Sequence, residues 1–355
     1  MRLCDQGERK FERDIERHRT LYGRRNLRFV RNNEVLYWRF LAHLQDRGYQ
    51  PGTVQRYYCQ LRTFLRWLGG RSLRRTRREQ VEQFLLWFKE HRIRTPYTLR
   101  YLRETLAVFF GFVMSHAAMR HNPAVGLRIR THYPQPERME LFSPEETLLL
   151  VRRPMEERQR LRLEDRPNER SYRRVLYRLM AEHLMLKLMF STGLRPCEIT
   201  NAALGDLDVP GLRLRVRNKG TQRYIVEDRH VFLSARTAMQ LQELVAMSQA
   251  LHGPRSPGRL FVCHRGGDTL GPRYVNRMLK YWARRCGIAR NVYAYMCRYT
   301  YCTRLVENGV DPYSLKRLMG HKQASTSLRH YLKLTPSELR KQWRQYNPVG
   351  ERGAG

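Results

Sequence analysis

From Asn33 onward, apolar side chains at Tyr37, Phe40, Leu41 and Leu44 recur at the three- and four-residue spacing of one helix face. The run breaks at Gly48, Pro51 and Gly52. A second stripe, Val54, Tyr57, Leu61, Phe64, Leu65 and Leu68, follows, with Thr53 as its N-cap and Gly69 and Gly70 as its end. A third helix is predicted from TRRE at 76–79, where Thr76 and Glu79 have capping-box spacing, and its buried face holds Val81, Phe84, Leu85 and Phe88. A fourth has Thr95 as cap, Pro96 in its first turn and the stripe Leu99, Leu102, Leu106, Phe109, Phe110 and Val113, stopping at His121, Asn122 and Pro123. Residues 31–127 therefore read as a four-helix bundle, preceded by a basic, weakly periodic extension over 1–30 that is either loose or folds on a partner.

RIRTHYPQPERMELF at 128–142 is polar and basic and holds two prolines, which predicts an extended interdomain linker. SPEE at 143–146 opens a second domain, 143–335, with a serine cap, a proline and a glutamate at favoured helix-start positions. Residues 154–170, rich in Arg and Glu, read as a surface insertion. The segment 172–190 is helical in period and apolar almost all round towards its end, as a buried central helix should be, and Gly193 ends it. LRLRVR at 212–217 alternates with period two, the pattern of a half-buried strand, with Asn218, Lys219 and Gly220 as the turn after it. Its partner is either YIV at 224–226 or VFL at 231–233. Helices are predicted near 235–250, 272–285, 297–308, 312–319 and 324–332, several closed by Gly287, Gly309 or Gly320, and a tail covers 336–355. The class is mainly α with a small antiparallel β-sheet.

Composition narrows the partners. A chain of 355 residues, 41% hydrophobic, can fill two cores. Its 68 Lys and Arg against 32 acids give a formal net charge of +36, spread over the whole chain, so polyanions attract it. The longest apolar runs, FLLWF at 84–88 and LMLKLMF at 184–190, fall far short of the roughly 20 residues of a spanning helix. The opening residues lack the apolar stretch of a signal peptide, so a cytoplasmic, nucleoid-associated location with no membrane partner is the expectation. The seven cysteines are scattered, odd in number and without a CxxC pair, which points to reduced thiols, not a disulfide framework or a zinc site.

STGLRPCEI at 191–199 places Arg195 in a glycine turn after the buried helix, with Pro196 starting the next one. An arginine there presents a fork of donors to a phosphate, and Glu198, three residues on and on the same face, is placed to orient it. This box resembles the one that holds the first catalytic arginine of the tyrosine recombinases, the phage integrase family. RVRNKGTQRYIV at 215–226 resembles that family's β-hairpin with its mobile lysine, here Lys219. YAYMCRYTYCTRLVENGVDPYSLKRLMGH at 293–321 is similar to its HxxR box followed by its LGH box. The bundle, closing with NPAVGL at 122–127, resembles its SAM-like core-binding domain, which leaves the second domain as the catalytic one.

The resemblance implies a site-specific recombinase or integrase that cuts and rejoins double-stranded DNA through a 3′-phosphotyrosyl bond. It implies no metal and no cofactor, inverted-repeat core sites, a monomer in solution and a homotetramer on two duplexes. Arg195 and Arg298 would stabilise the charge of the transition state, and Lys219 would protonate the leaving 5′-oxygen. His321 would hydrogen-bond the phosphate. Where the family has His or Lys three residues before its second arginine, this chain has Tyr295, a phenol that can hydrogen-bond a phosphate but is a poor general base at neutral pH. Nine residues after His321, the family's register for the nucleophile, stands His330, and Tyr331 follows. Tyr331 is the expected nucleophile, with Tyr313 and Tyr301 as weaker candidates and Trp343 in the tail as an anchor on a neighbouring copy. Two alternatives fit the same residues: a recombinase-derived DNA-binding protein with impaired catalysis, and a telomere resolvase or type IB topoisomerase.

Overall fold

The computed structural model describes residues 13–17, 32–92, 96–116, 119–127, 140–217, 228–253 and 258–320. They belong to two compact units, one within 1–135 and one within 136–355. No described helix is long and apolar enough to cross a membrane.

In the first unit, α1 (Asn33–Asp46), α2 (Pro51–Leu68), α3 (Arg78–Arg92) and α4 (Pro96–His116) pack their apolar stripes into one core. Rings dominate it. Phe64 meets Phe84 edge-on at 4.9 Å and Phe40 meets Phe109 at 5.1 Å, an arrangement that adds to simple burial. Asn32 caps α1 by accepting from the Glu34 N–H, and the Asn33 side chain bridges to Arg71 O and Leu73 N, holding the chain between α2 and α3 against α1.

Local starts differ from the sequence expectation in two places. Helix α2 begins at Pro51 with Gln50 as N-cap, two residues before Thr53, because proline already has the φ of a first helical residue and has no N–H to satisfy. Thr76 does not cap α3: it closes a 3₁₀ turn, Leu73–Arg75, and its hydroxyl donates to Ser72 O. Thr95 lies outside the described residues. Part of the N-terminal extension is folded, since Ile15, in a helical turn at 13–17, is buried in this core.

The second unit is built around α6 (Glu169–Thr192), whose residues from Tyr177 to Thr192 are buried on nearly every side. Around it stand α5 (Pro144–Arg160), α8 (Ala235–His252) and α10 (Ala294–Glu307). Ser143 and Glu146 form the expected capping box, each side chain accepting from the other's backbone N–H. Helix α5 runs on through the buried Pro154, so the expected insertion at 154–170 shrinks to the short stretch between α5 and α6. Phe142, assigned to the linker from sequence, is fully buried in this unit, with the Arg290 guanidinium 5.3 Å from its ring.

Three short strands form an antiparallel sheet in the order β1 (Leu207–Asp208), β2 (Arg213–Val216), β3 (Arg229–Phe232). Of the two expected partners for β2, the one containing Val231 is used, with Leu214 opposite Val231 and Val216 opposite Arg229. The register turns Leu214, Val216 and Val231 inward, and it turns Arg229 inward with them. A short helix, α7 (Pro196–Asn201), follows α6. Helix α9 (Pro272–Arg285) packs under α10, and α11 (Pro312–Met319) joins α10 through Cys302, Val306, Leu315 and Met319. The predicted helix at 324–332 and the tail lie outside the described residues.

Candidate active site

Gly193 ends α6 in the left-handed conformation, at φ 62°, and the chain reverses so that Arg195 becomes the N-cap of α7. Glycine is required there twice over. Other residues resist that φ, and a Cβ would lie 2.5 Å from Cδ1 of Tyr301. Pro196 then starts α7 and sets Glu198 one turn on from Arg195.

The Glu198 carboxylate gathers four donors. Oε1 accepts from Arg195 Nη1 at 2.7 Å and Arg229 Nη1 at 3.0 Å. Oε2 accepts from the Arg195 backbone N–H at 2.8 Å and Arg229 Nη2 at 2.8 Å. Burial works to raise this carboxyl, but the hydrogen bonds and charge of Arg229, then those of Arg195, outweigh it and hold it at about 2. Exposure grades outward: the side chains of Arg229 and Glu198 are 9% and 10% exposed, that of Arg195 32%.

Arg298 comes from the second turn of α10 and is fully buried. Its Nη1 donates to Gly193 O at 2.6 Å and its Nη2 to Met319 O, so one guanidinium ties the end of α6 to the end of α11. Arg195 Nη2 reaches Gly320 O at 3.4 Å. Met319 and Gly320 are consecutive, hence the guanidiniums of Arg195 and Arg298 meet at one turn. Gly320 is left-handed as well, at φ 61°, and a Cβ on it would lie 2.7 Å from Arg229 Nη1. Two guanidiniums thus hold one carboxylate, and a third, that of Arg298, shares the Met319–Gly320 turn with Arg195. That excess of positive charge suits a phosphate diester.

Of the sequence-derived candidates, Arg195, Glu198 and Arg298 are therefore brought together. Tyr295 is exposed, in the first turn of α10, three residues ahead of Arg298. Tyr301 is half-buried beside Gly193 and Met319; burial raises its phenol, against the nearby charges of Arg229 and Arg298. Tyr313, at 79% exposure, stands at the start of α11. Lys219, His321, His330 and Tyr331 lie outside the described residues.

Two partners went unforeseen. Arg229 pairs with a carboxylate 31 positions away, and the signal for it was a basic residue at an inward register of the alternating stretch that ends in Val231 and Leu233. Asp206, whose side chain is 1% exposed, accepts from Arg215 and Arg217 and so holds the end of β2, the strand leading to Lys219.

Comparison with known proteins follows this architecture. The model of the phage integrase family matches residues 166–338, and that of the phage integrase N-terminal SAM-like domain matches residues 36–117. The tyrosine recombinase XerC of Proteus mirabilis is 25% identical over 293 residues, covering 81% of this chain and 86% of that one. The tyrosine recombinase XerC of Chromohalobacter salexigens is 27% identical over 318 residues, covering 89% and 96%. Among solved structures, the Tn1549 transposon integrase in complex with transposon right end DNA shares the fold, with a TM-score of 0.62 at 17% identity over 88% of this chain and 98% of that one.

Proposed function

Because the chain belongs to the phage integrase family, the tyrosine recombinases, we propose that it cuts and rejoins double-stranded DNA at specific sites through a 3′-phosphotyrosyl bond. The observation that carries this reading is the meeting of the Arg195 and Arg298 guanidiniums at the turn Met319–Gly320, directly before His321. A phosphate seated there would take Arg195, the more exposed fork, in place of its long bond to Gly320 O.

The Tyr331 oxygen attacks phosphorus as its proton passes to water, and the bond to the 5′-oxygen breaks. Lys219 gives that oxygen a proton, leaving a 5′-hydroxyl. The reverse attack by a 5′-hydroxyl from a second duplex rejoins the strand and frees the tyrosine. The phosphotyrosyl bond conserves the energy of the broken diester, so no nucleotide cofactor enters the balance. Charge gathering on the phosphate oxygens falls to Arg195, Arg298 and His321, with Tyr295 as a further hydrogen-bond donor and Glu198 orienting Arg195. Inverted-repeat core sites, a homotetramer on two duplexes assembled from monomers, and a cytoplasmic, nucleoid-associated setting complete the proposal.

On nicked suicide duplexes, Tyr331→Phe is expected to abolish the SDS-resistant protein–DNA adduct that the wild type forms. An adduct persisting in that variant would move the nucleophile elsewhere, with Tyr301 and Tyr313 next to be substituted. A second reading, a DNA-binding descendant with impaired catalysis, is favoured by the full burial of Arg298, whose two Nη groups are spent on backbone carbonyls. It predicts salt-sensitive DNA binding with no adduct from the wild type.

A further inference from the structure

Arg229 takes no part in the reaction just described, yet it makes the most complete ion pair of the site. Resting on the reading of this centre as one for DNA strand exchange, we propose that Arg229 is a positioning residue: it fixes the Glu198 carboxylate, and through it sets the Arg195 guanidinium for phosphate.

The geometry divides the work between the two arginines. Each oxygen of Glu198 accepts one bond from Arg195 and one from Arg229. Arg229 supplies its two from a single planar fork, so it sets the carboxylate plane as well as its position. Arg195 supplies one from its backbone and one from its side chain, and therefore takes its direction from a carboxylate already held. Arg229 is 9% exposed and gives both Nη groups to Glu198, whereas Arg195 is 32% exposed and gives Glu198 only one.

The surroundings commit it further. Arg229 sits opposite Val216 on the inward face of the sheet, held by the strand register and not by a loop. Gly320 leaves the space its guanidinium occupies. A glutamine at 229 would keep much of the bulk but lose the fork, leaving Glu198 with Arg195 alone.

The test uses the full chain and a library of nicked duplexes with a randomised core. Wild type, R229K, R229Q, E198Q and the R229Q/E198Q double variant are compared for the adduct rate at saturating DNA and for the DNA concentration giving half that rate. R229Q should lower the saturating rate by about tenfold to a hundredfold, the scale of a misplaced reacting group, with half-saturation nearly unchanged. R229K, which keeps the charge without the fork, should fall between, and the double variant should be no slower than E198Q alone. An undiminished rate in R229Q, or losses that multiply in the double variant, would overturn the proposal.

A second measurement does not depend on catalysis. Phenylglyoxal modification of Arg195, read by peptide mass spectrometry, should run severalfold faster in R229Q than in wild type, and equal rates would overturn the proposal. If the wild type forms no adduct with any library member, the reaction reading fails, while Arg195 labelling still decides whether Arg229 positions it. Should R229Q not fold, R229K carries both comparisons.

Discussion

Two glutamates of the second unit, Glu198 and Glu182, are similarly buried, with side chains 10% and 6% exposed, yet their carboxyls are shifted in opposite directions. Glu198 faces two guanidiniums and is held ionised at about 2. Glu182, in the middle of α6, accepts from the Tyr274 hydroxyl at 2.6 Å and the Trp282 indole N–H at 2.9 Å, with Arg178 farther off at 3.5 Å. There burial dominates, and its carboxyl is raised above the ordinary range. Neutral donors can satisfy a buried carboxyl's lone pairs without repaying the cost of its charge, whereas paired cations do both. One glutamate serves the packing of α6 on α9, and the other holds charge ready at the site.

The sharpest way to break this comparison is to delete Glu198. Glu198→Ala should cost about 3–5 kcal/mol, since it strands the Arg229 charge in the interior, and guanidinium-induced unfolding would measure it. Glu182→Ala is not the fair counterpart, because it opens a cavity; Glu182→Gln, which keeps the shape, should cost under about 1–2 kcal/mol in the same assay at neutral pH. A loss in Glu182→Gln as large as that in Glu198→Ala would show the two sites to be energetically alike.

Gly320→Ala comes next. It forces a left-handed alanine against the Arg229 guanidinium, and should destabilise by about 1–2 kcal/mol from the backbone alone. The same substitution in an Arg229→Ala background should lose only that backbone part, which would show how much of the cost lies in crowding the ion pair.

The smallest effect is the most diagnostic, because its sign differs between the two residues. For Glu198 the folded value lies below the ordinary 4.5, so its contribution is whole above 4.5 and is lost as the pH falls towards 2. For Glu182 the folded value lies above 4.5, so its contribution is whole below 4.5 and is lost as the pH rises through the raised value. Unfolding midpoints across roughly pH 3 to pH 7 should therefore show wild type gaining on Glu198→Gln as the pH rises, and losing ground to Glu182→Gln. Parallel curves would contradict the comparison.

How much could be read from the chain divides along a similar line. Stripes such as Val54–Tyr57–Leu61–Phe64 and the capping box at Ser143 depend on neighbours within a turn or two, and they were legible. The helix starts at Thr53 and Thr76 were misread because two local devices competed, a hydroxyl cap against Pro51 at the first position and against a 3₁₀ turn. The Arg- and Glu-rich stretch 154–170 suggested an insertion, but α5 continues through the buried Pro154 to Arg160. The box around Arg195 and Glu198 could be found because its members lie three residues apart. For Arg229 the alternation up to Leu233 carries the inward register, but its partner emerges only once β3 has paired with β2 and brought it across to α7.

The single guanidinium of Arg298 works as a tie rod. Gly193 and Met319 are 126 positions apart in sequence, yet their carbonyls share one side chain, so a helix end that moves away from the other must give up a charged donor or carry Arg298 with it.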